Sequence, residues 1–264
     1  MPLKTFVFIE GMRLMGAVKG VVLCGGPGKR LRPITYYFQK AMIPIGRMQK
    51  PLLEYVVRLL KFYGIKDLVF LVDYKAEQII NYFDNGSRFE VNISYVYDDP
   101  SLKGTAGSIV NAYRRRVLNA NETLLIYYGD ILTNMNIQDF LKFHREKGAV
   151  ATVALSSGFT VRVGVAELEA DGRIRSFQEK PKIDKPVSIA IAALEGEVLR
   201  ELDEMASGRA ELDLMGDVIP HLISKGSGVY GYLTDAFWYD VGSTEAYEKL
   251  EPKLVDEIFA FLYK

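Results

Sequence analysis

The stretch VKGVVLCGGPGKRLRPIT, Val18 to Thr35, decides the architecture. Its first half is an apolar, β-branched run with the composition of a buried strand, and it passes directly into three glycines, Gly25, Gly26 and Gly28. Glycines carry no side chain to shield their N–H groups, so an anion can approach that backbone closely. Lys29, Arg30 and Arg32 add positive charge beside it. Pro33 then keeps the loop from continuing as a regular helix. In a dinucleotide fingerprint the glycines open directly into a helix, so this loop is a different device, and no GxxxxGK[ST] sequence is present. A further cation, Lys40, follows in QKAMIPIG, Gln39 to Gly46.

Outward from that loop the pattern alternates. PLLEYVVRLLKFYG spaces Leu52, Leu53, Val56, Val57, Leu59 and Leu60 for a buried helix face and stops at Gly64. DLVFLV reads as a strand, KAEQIINYF as a helix, NISYVYD as a strand, GTAGSIVNAYRRRV as a helix opened by small residues, and TLLIYYGD as a strand ending at Asp130. This rhythm predicts an α/β protein with a mixed, mainly parallel sheet flanked by helices, whose ligands bind at the carboxyl ends of the strands. VGVAELEADGRIRSFQ is a hairpin signal around Asp171-Gly172, where the sheet turns partly antiparallel. The strand VSIAIAAL, the helices EVLRELDEM and LDLMGDVIPHLISKG, the strands GVYGYLT and FWYDVG, and a last helix from about Ser243 complete the chain.

The expected organisation is a leader over residues 1–16 followed by a single domain over 17–264. Within it, about 17–130 form a first half, 131–250 a second half, and a C-terminal helix runs to 264. Met12 and Met15 precede the first convincing strand, so the leader is expected to carry no function. With 49% hydrophobic and 25% charged residues in 264, the chain has the balance of a globular protein. Thirty-three basic residues match thirty-three acidic ones, so no overall field draws it to nucleic acid or to a membrane. Any anion must be held by a local cluster. The single cysteine, Cys24, excludes an intrachain disulfide and a Cys-rich metal site, and points to the cytoplasm. No signal or spanning segment is evident, since the longest apolar run near the start is Phe6 to Ile9.

GGPGKRLRPIT followed by QKAMIPIGRMQKPLLEY resembles the signature of the sugar-phosphate nucleotidylyltransferases, the NDP-sugar pyrophosphorylases. GTAG at Gly104 to Gly107, Gly129-Asp130, EKP at Glu179 to Pro181 and WYDVG at Trp238 to Gly242 follow in that family's order, so the resemblance spans about Val18 to Leu250. It implies a Rossmann-like, GT-A-like nucleotidyltransferase fold and attack of a sugar 1-phosphate on the α-phosphorus of an NTP, with release of pyrophosphate. Charge grows on phosphoryl oxygens in such a reaction, so cations and backbone donors matter more than a protein nucleophile.

By resemblance, Gly25, Gly26, Gly28, Lys29 and Arg30 hold the nucleotide, with Asp98, Gly104 and Thr105 at its base end. Arg30, Lys40 and Asp130 are the catalytic candidates. Asp130 and Asp240, both at strand ends, are the candidate ligands of Mg²⁺, a cation that prefers oxygen donors. Gly164, Glu179, Lys180 and Ser188 are the candidate sugar-phosphate residues. The chain departs from the family pattern at Lys29 (a threonine there), Gln39 (a proline), Val163 (a tyrosine) and Ser188-Ile189-Ala190 (Asn-Ala-Gly). The alternative left open is a non-catalytic relative that binds nucleotide or sugar nucleotide as a regulator or scaffold.

A carboxylate at Asp98 can accept from two N–H groups of guanine, which favours GTP, and GTAG points the same way, to mannose-1-phosphate guanylyltransferases; dTTP or UTP with glucose 1-phosphate stays open. His144 and His221 read as helix-surface or capping residues, and Cys24 as a packing residue rather than a nucleophile. Arg114 to Arg116 end a helix, where cations complement its dipole. Ile258, Phe259, Phe261 and Leu262 are either a self-association patch, giving a homo-oligomer, or the inner face of a packed last helix. The chain ends soon after that helix, so no second, β-helical domain is expected.

Overall fold

The computed structural model describes residues 17–161 and 163–263. The leader assigned to residues 1–16 lies outside them. The sheet strands are β1 (Val18–Leu23), β2 (Asp67–Val72), β3 (Asn92–Tyr97), β4 (Thr123–Tyr128), β6 (Ala151–Ser156), β9 (Val187–Glu195) and β10 (Val229–Thr234). Short β5 (Ile131–Thr133) pairs with β11 (Trp238–Asp240), and β7 (Val165–Leu168) with β8 (Ile174–Gln178), outside that sheet. The seven strands lie in the order β10-β6-β9-β4-β1-β2-β3. All run parallel except β9, which is antiparallel to both β4 and β6. Strands from before and after Asp130 therefore share one sheet.

Both faces of this sheet are covered, which is why its strands are nearly continuous apolar runs. Val22, Phe70, Val72, Leu125 and Tyr127 face one layer, while Val21, Val69, Leu71, Leu124 and Ile126 face the other. The first layer contains α1 (Leu52–Phe62), α2 (Ala76–Phe83) and α4 (Ile137–Glu146); the second contains α3 (Thr105–Arg114), α5 (Val198–Ala206) and α6 (Ile219–Ser224). In α1 the six predicted apolar positions are all buried, and Gly64, at φ +80°, follows its end as expected of a helix stop. No helix among the described residues is long and apolar enough to cross a membrane.

Two helices differ from expectation. LDLMGDVIPHLISKG begins as a π-turn over Leu214–Val218 before α6, because Asp213 caps Gly216 N–H and the Asp213 carbonyl accepts from Val218. The C-terminal helix is two, α7 (Thr244–Lys249) and α8 (Pro252–Phe259), since Pro252 can open a helix but not continue one. Phe259 and Leu262 are buried, and Ile258 and Phe261 pack against the same core. That face is the inner side of a packed last helix and is not available for self-association. Arg114 pairs with Asp203 at 2.6 Å, joining α3 to α5.

His144 corrects the surface assignment: it is fully buried on α4. Nδ1 lies 2.7 Å from Thr152 Oγ1 on β6 and Nε2 lies 3.0 Å from Glu195 Oε1 on β9, and Glu195 also accepts from Thr123 on β4. The ring thus pins a helix to two strands directly and to a third through Glu195, a role invisible to helical periodicity. Burial lowers its pKa, with Arg145 adding to this and Glu195 opposing it. The unfolded chain takes up the proton first, so stability falls as pH drops below the ordinary imidazole value of about 6.5, by up to ~1.4 kcal/mol per pH unit until the folded ring also protonates. Urea unfolding between pH 7.5 and 5.5 should show a steeper loss in the wild type than in His144→Gln. Parallel losses would remove the assignment.

Candidate active site

The strand order reverses at β1, with β2 on one side and β4 on the other, and a crevice opens at their carboxyl ends. A cavity of about 700 Å³ lies there. Every residue assigned to the nucleotide lines it: Gly25, Gly26, Gly28, Lys29, Arg30, Asp98, Gly104 and Thr105, together with Lys40 and Asp130.

The glycine loop is shaped as a cradle. Gly28 sits at φ +59° and starts a single 3-10 turn, Lys29–Leu31, whose Leu31 N–H returns to Gly28 O at 2.9 Å. Thr35 Oγ1 donates to the same carbonyl at 2.9 Å. Among the described residues, the N–H groups of Gly26 and Gly28 have no hydrogen-bond partner, and a Cβ on Gly26 would meet nothing within 4 Å. Two unpaired backbone donors therefore lie beside exposed Lys29 and Arg30, which suits an anion.

Lys40 arrives on a second turn, Lys40–Met42. A Cβ on Gly28 would lie 3.2 Å from Lys40 Cβ, so the stem of the lysine packs directly against the cradle. Its Nζ is ion-paired with Asp130 Oδ2, and both side chains are mostly buried. Gly129 permits this corner, because a Cβ there would come 2.7 Å from Cys24 Sγ and 3.0 Å from Leu23 O. The Cys24 thiol is pushed up by burial, and Asp130 and Asp98 add to this, so it packs as a neutral group.

Asp130 and Asp240 occupy neighbouring corners. β5 and β11 pair with Ile131 opposite Asp240, and Val241 N–H donates to Asp130 O at 3.1 Å. Gly242 lines the cavity, and a Cβ on it would lie 2.5 Å from Asp240 Oδ1, so the carboxylate folds over that backbone. Among the described residues no three His, Cys, Asp or Glu side chains are grouped as a closed cation cage. Asp130 lines the cavity and Asp240 does not, but two carboxylates at adjoining corners are a donor set of the kind that suits Mg²⁺, which commonly takes one or two protein oxygens plus phosphate and water.

Against Gly25, Asp98 Oδ1 is buried without a hydrogen-bond partner, and a Cβ on Gly25 would collide with Asp98 Oδ2. Burial raises the pKa of this carboxyl, Asp73 adds repulsion, and the Ser108 hydroxyl opposes both. Thr105 lines the cavity, but its hydroxyl donates to Asp213 at 2.8 Å and accepts from Leu214 N–H at 2.8 Å, so it is committed to holding the loop. The start of α3 is likewise occupied: Ala106 and Gly107 N–H both donate to Leu212 O at 3.0 Å.

Gly164 and Glu179 lie close together, with a Cβ on Gly164 falling 3.0 Å from Glu179 Oε2 and against Phe177 Cζ. Lys180 Nζ lies 3.9 Å from Glu179 Oε1 on the exposed β7-β8 arm. Ser188 opens β9, where its hydroxyl accepts from Ala190 N–H at 3.2 Å and the register shifts before Ala192. None of these four lines the cavity. Sequence reading missed Asp73, Lys103 and Tyr128, which do. Asp73 follows β2 as Asp130 follows β4, so the strand-end signal was there to find it.

A family model described as Nucleotidyl transferase matches residues 19–257. Among curated proteins, the chain is 34% identical over 244 residues to the UTP–glucose-1-phosphate uridylyltransferase of a Synechocystis strain, covering 87% of this chain and 61% of that protein. It is 30% identical over 240 residues to the mannose-1-phosphate guanylyltransferase of Mycobacterium tuberculosis, covering 90% and 65%. The chain thus spans less than two thirds of the length of these relatives. A crystal structure of HddC from Yersinia pseudotuberculosis, complexed with GMP-PN, superposes with a TM-score of 0.64 at 20% identity, covering 89% of this chain and 99% of that one. At that identity the likeness is one of fold.

Proposed function

The chain belongs to the nucleotidyl transferase family, and on that premise we propose that it joins an NTP to a sugar 1-phosphate, releasing pyrophosphate. A phosphate oxygen of the sugar 1-phosphate forms a bond to the α-phosphorus, and the bond from that phosphorus to the β-phosphate oxygen breaks. The observation that carries this reading is the pair of unpartnered N–H groups at Gly26 and Gly28, with Lys40 packed against them and paired to Asp130. No general base is required, because the attacking phosphate is already ionised at neutral pH. Nothing favours the non-catalytic alternative.

In this mechanism Gly25, Gly26 and Gly28 seat the triphosphate, and Arg30 offers a planar fork to its oxygens. Lys40 leaves Asp130 and neutralises charge as it grows on the α-phosphoryl group. Asp130 and Asp240 would hold Mg²⁺, which supplies a Lewis acid for the phosphate oxygens and the leaving pyrophosphate. Gly164 and Glu179 would receive the sugar hydroxyls, and Lys180 and Ser188 its phosphate, on an arm that stands outside the cavity. A cytoplasmic enzyme is consistent with its single buried cysteine.

For the base, we propose guanine and hence a mannose-1-phosphate guanylyltransferase-like enzyme. The unsatisfied Asp98 Oδ1 supports this, as a carboxylate accepts from both guanine N–H groups. The 34% identity to a uridylyltransferase favours UTP with glucose 1-phosphate as the second reading. Pyrophosphate release should be measured for GTP, UTP, dTTP, CTP and ATP against mannose and glucose 1-phosphates. Hydrogen bonds to a charged acceptor contribute about 1.5–3 kcal/mol, so GTP should lead by roughly 10- to 150-fold in kcat/KM. A comparable lead for UTP selects the second reading, and no pyrophosphate from any pair removes both.

A further inference from the structure

Gln39 stands where the family signature has a proline, yet it is almost fully buried. Its φ is −63°, the angle a proline ring would impose, here reached without a ring. Hydrogen bonds replace it. The side-chain Oε1 accepts from Ala41 N–H at 2.5 Å, which caps the turn carrying Lys40, and Nε2 donates to Cys24 O at 2.5 Å. The backbone N–H, which a proline lacks, donates to Gln78 Oε1 at 2.7 Å on α2. Gln78 Nε2 in turn donates to Tyr37 O at 2.7 Å, so the one Gln78 amide holds both ends of the Tyr37–Gln39 segment.

We infer that Gln39, clipped by Gln78, is a positioning residue that sets Lys40 against the glycine cradle. A three-residue 3-10 turn has little hydrogen bonding of its own to fix its place. Gln39 ties this one to Cys24, the residue immediately before Gly25. Lys40 and the phosphate cradle are thereby held to one another through a single side chain rather than through the sheet. The inference rests on the nucleotidyl-transfer reading, and loss of the clip should move Lys40 without emptying the cavity.

The test is Gln39→Glu with the best NTP and sugar 1-phosphate pair. The carboxylate keeps the acceptor for Ala41 N–H but meets Cys24 O with no proton. Misplacing a reacting group by about 1 Å costs about 10²-fold, so kcat at pH 8 should fall by that order while KM for the NTP changes less than about twofold. Lowering the pH toward 6 protonates the introduced buried carboxyl, restores the donor, and should narrow the gap to wild type measured at the same pH. In a Lys40→Met background Gln39→Glu should have almost no further effect on kcat, since the two act as a unit. If Gln39→Glu does not fold, Gln78→Ala reads the clip from its outer end, with a several-fold fall in kcat that also vanishes in the Lys40→Met background. An unchanged kcat, or a full effect that persists without Lys40, overturns the inference. A wild type that releases no pyrophosphate refutes the underlying reading instead.

Discussion

Lys40→Met is expected to lower kcat by about 10²–10³, equivalent to about 2.7–4 kcal/mol of transition-state stabilisation, with KM for the NTP changing much less. The reasoning separates the ammonium from the stem. Methionine keeps an unbranched chain of similar length, so the packing of Lys40 against Gly28 survives. What is lost is a positive charge in a mostly buried corner, opposite Asp130. The fold should lose little, because both partners keep some contact with solvent and Asp130 can take up water or a cation in place of Nζ. Lys40→Arg is expected to recover only part of the activity, since a planar guanidinium cannot pivot as a point charge does. Near-normal turnover in purified Lys40→Met would mean that the charge is provided elsewhere, by Lys29 or Lys103 on the cavity wall.

The cavity lining was legible because its logic is local. Short continuous apolar runs, a helix period near four and short glycine loops together place Gly25, Lys40, Asp98, Gly104 and Asp130 at one sheet edge, and the cavity is lined by all five. What could not be read depends on contacts distant in sequence. His144 looks like any polar position on an amphipathic helix until Thr152 and Glu195 are folded beneath it. Thr105 looks like a ligand-facing helix start until Asp213, 108 residues later, takes its hydroxyl. The proline-to-glutamine departure at position 39 could be seen as a difference, but its three hydrogen bonds could not. The second half is the counterpart: Gly164 and Glu179 lie close together on an arm outside the cavity, and nothing in a two-residue-period hairpin says how far it projects.

Gly104→Ala is the substitution expected to cost the fold most within the site. Gly104 sits at φ 90°, ψ 164°, a region essentially reserved for glycine, where any side chain costs about 1–3 kcal/mol. A Cβ would also lie 2.4 Å from Leu212 O and 2.8 Å from Leu212 C, and a backbone cannot rotate away as a side chain can. That carbonyl is the acceptor for Ala106 and Gly107 N–H, and its own residue donates from N–H to Lys103 O at 2.9 Å. Displacing it strands buried donors at about 1–3 kcal/mol each, so the total is expected near 3–5 kcal/mol. For a chain of this size that corresponds to a fall in Tm of about 6–20 °C. Gly226→Ala is the control, since it shares a positive φ of +74° but meets nothing within 4 Å. It should cost about 1 kcal/mol or a little more. Urea midpoints at unchanged slope measure both, and equal losses would show that the segment around Leu212 yields to the methyl. A large excess at Gly104 would show that the segment around Leu212 is held rigidly against the start of α3.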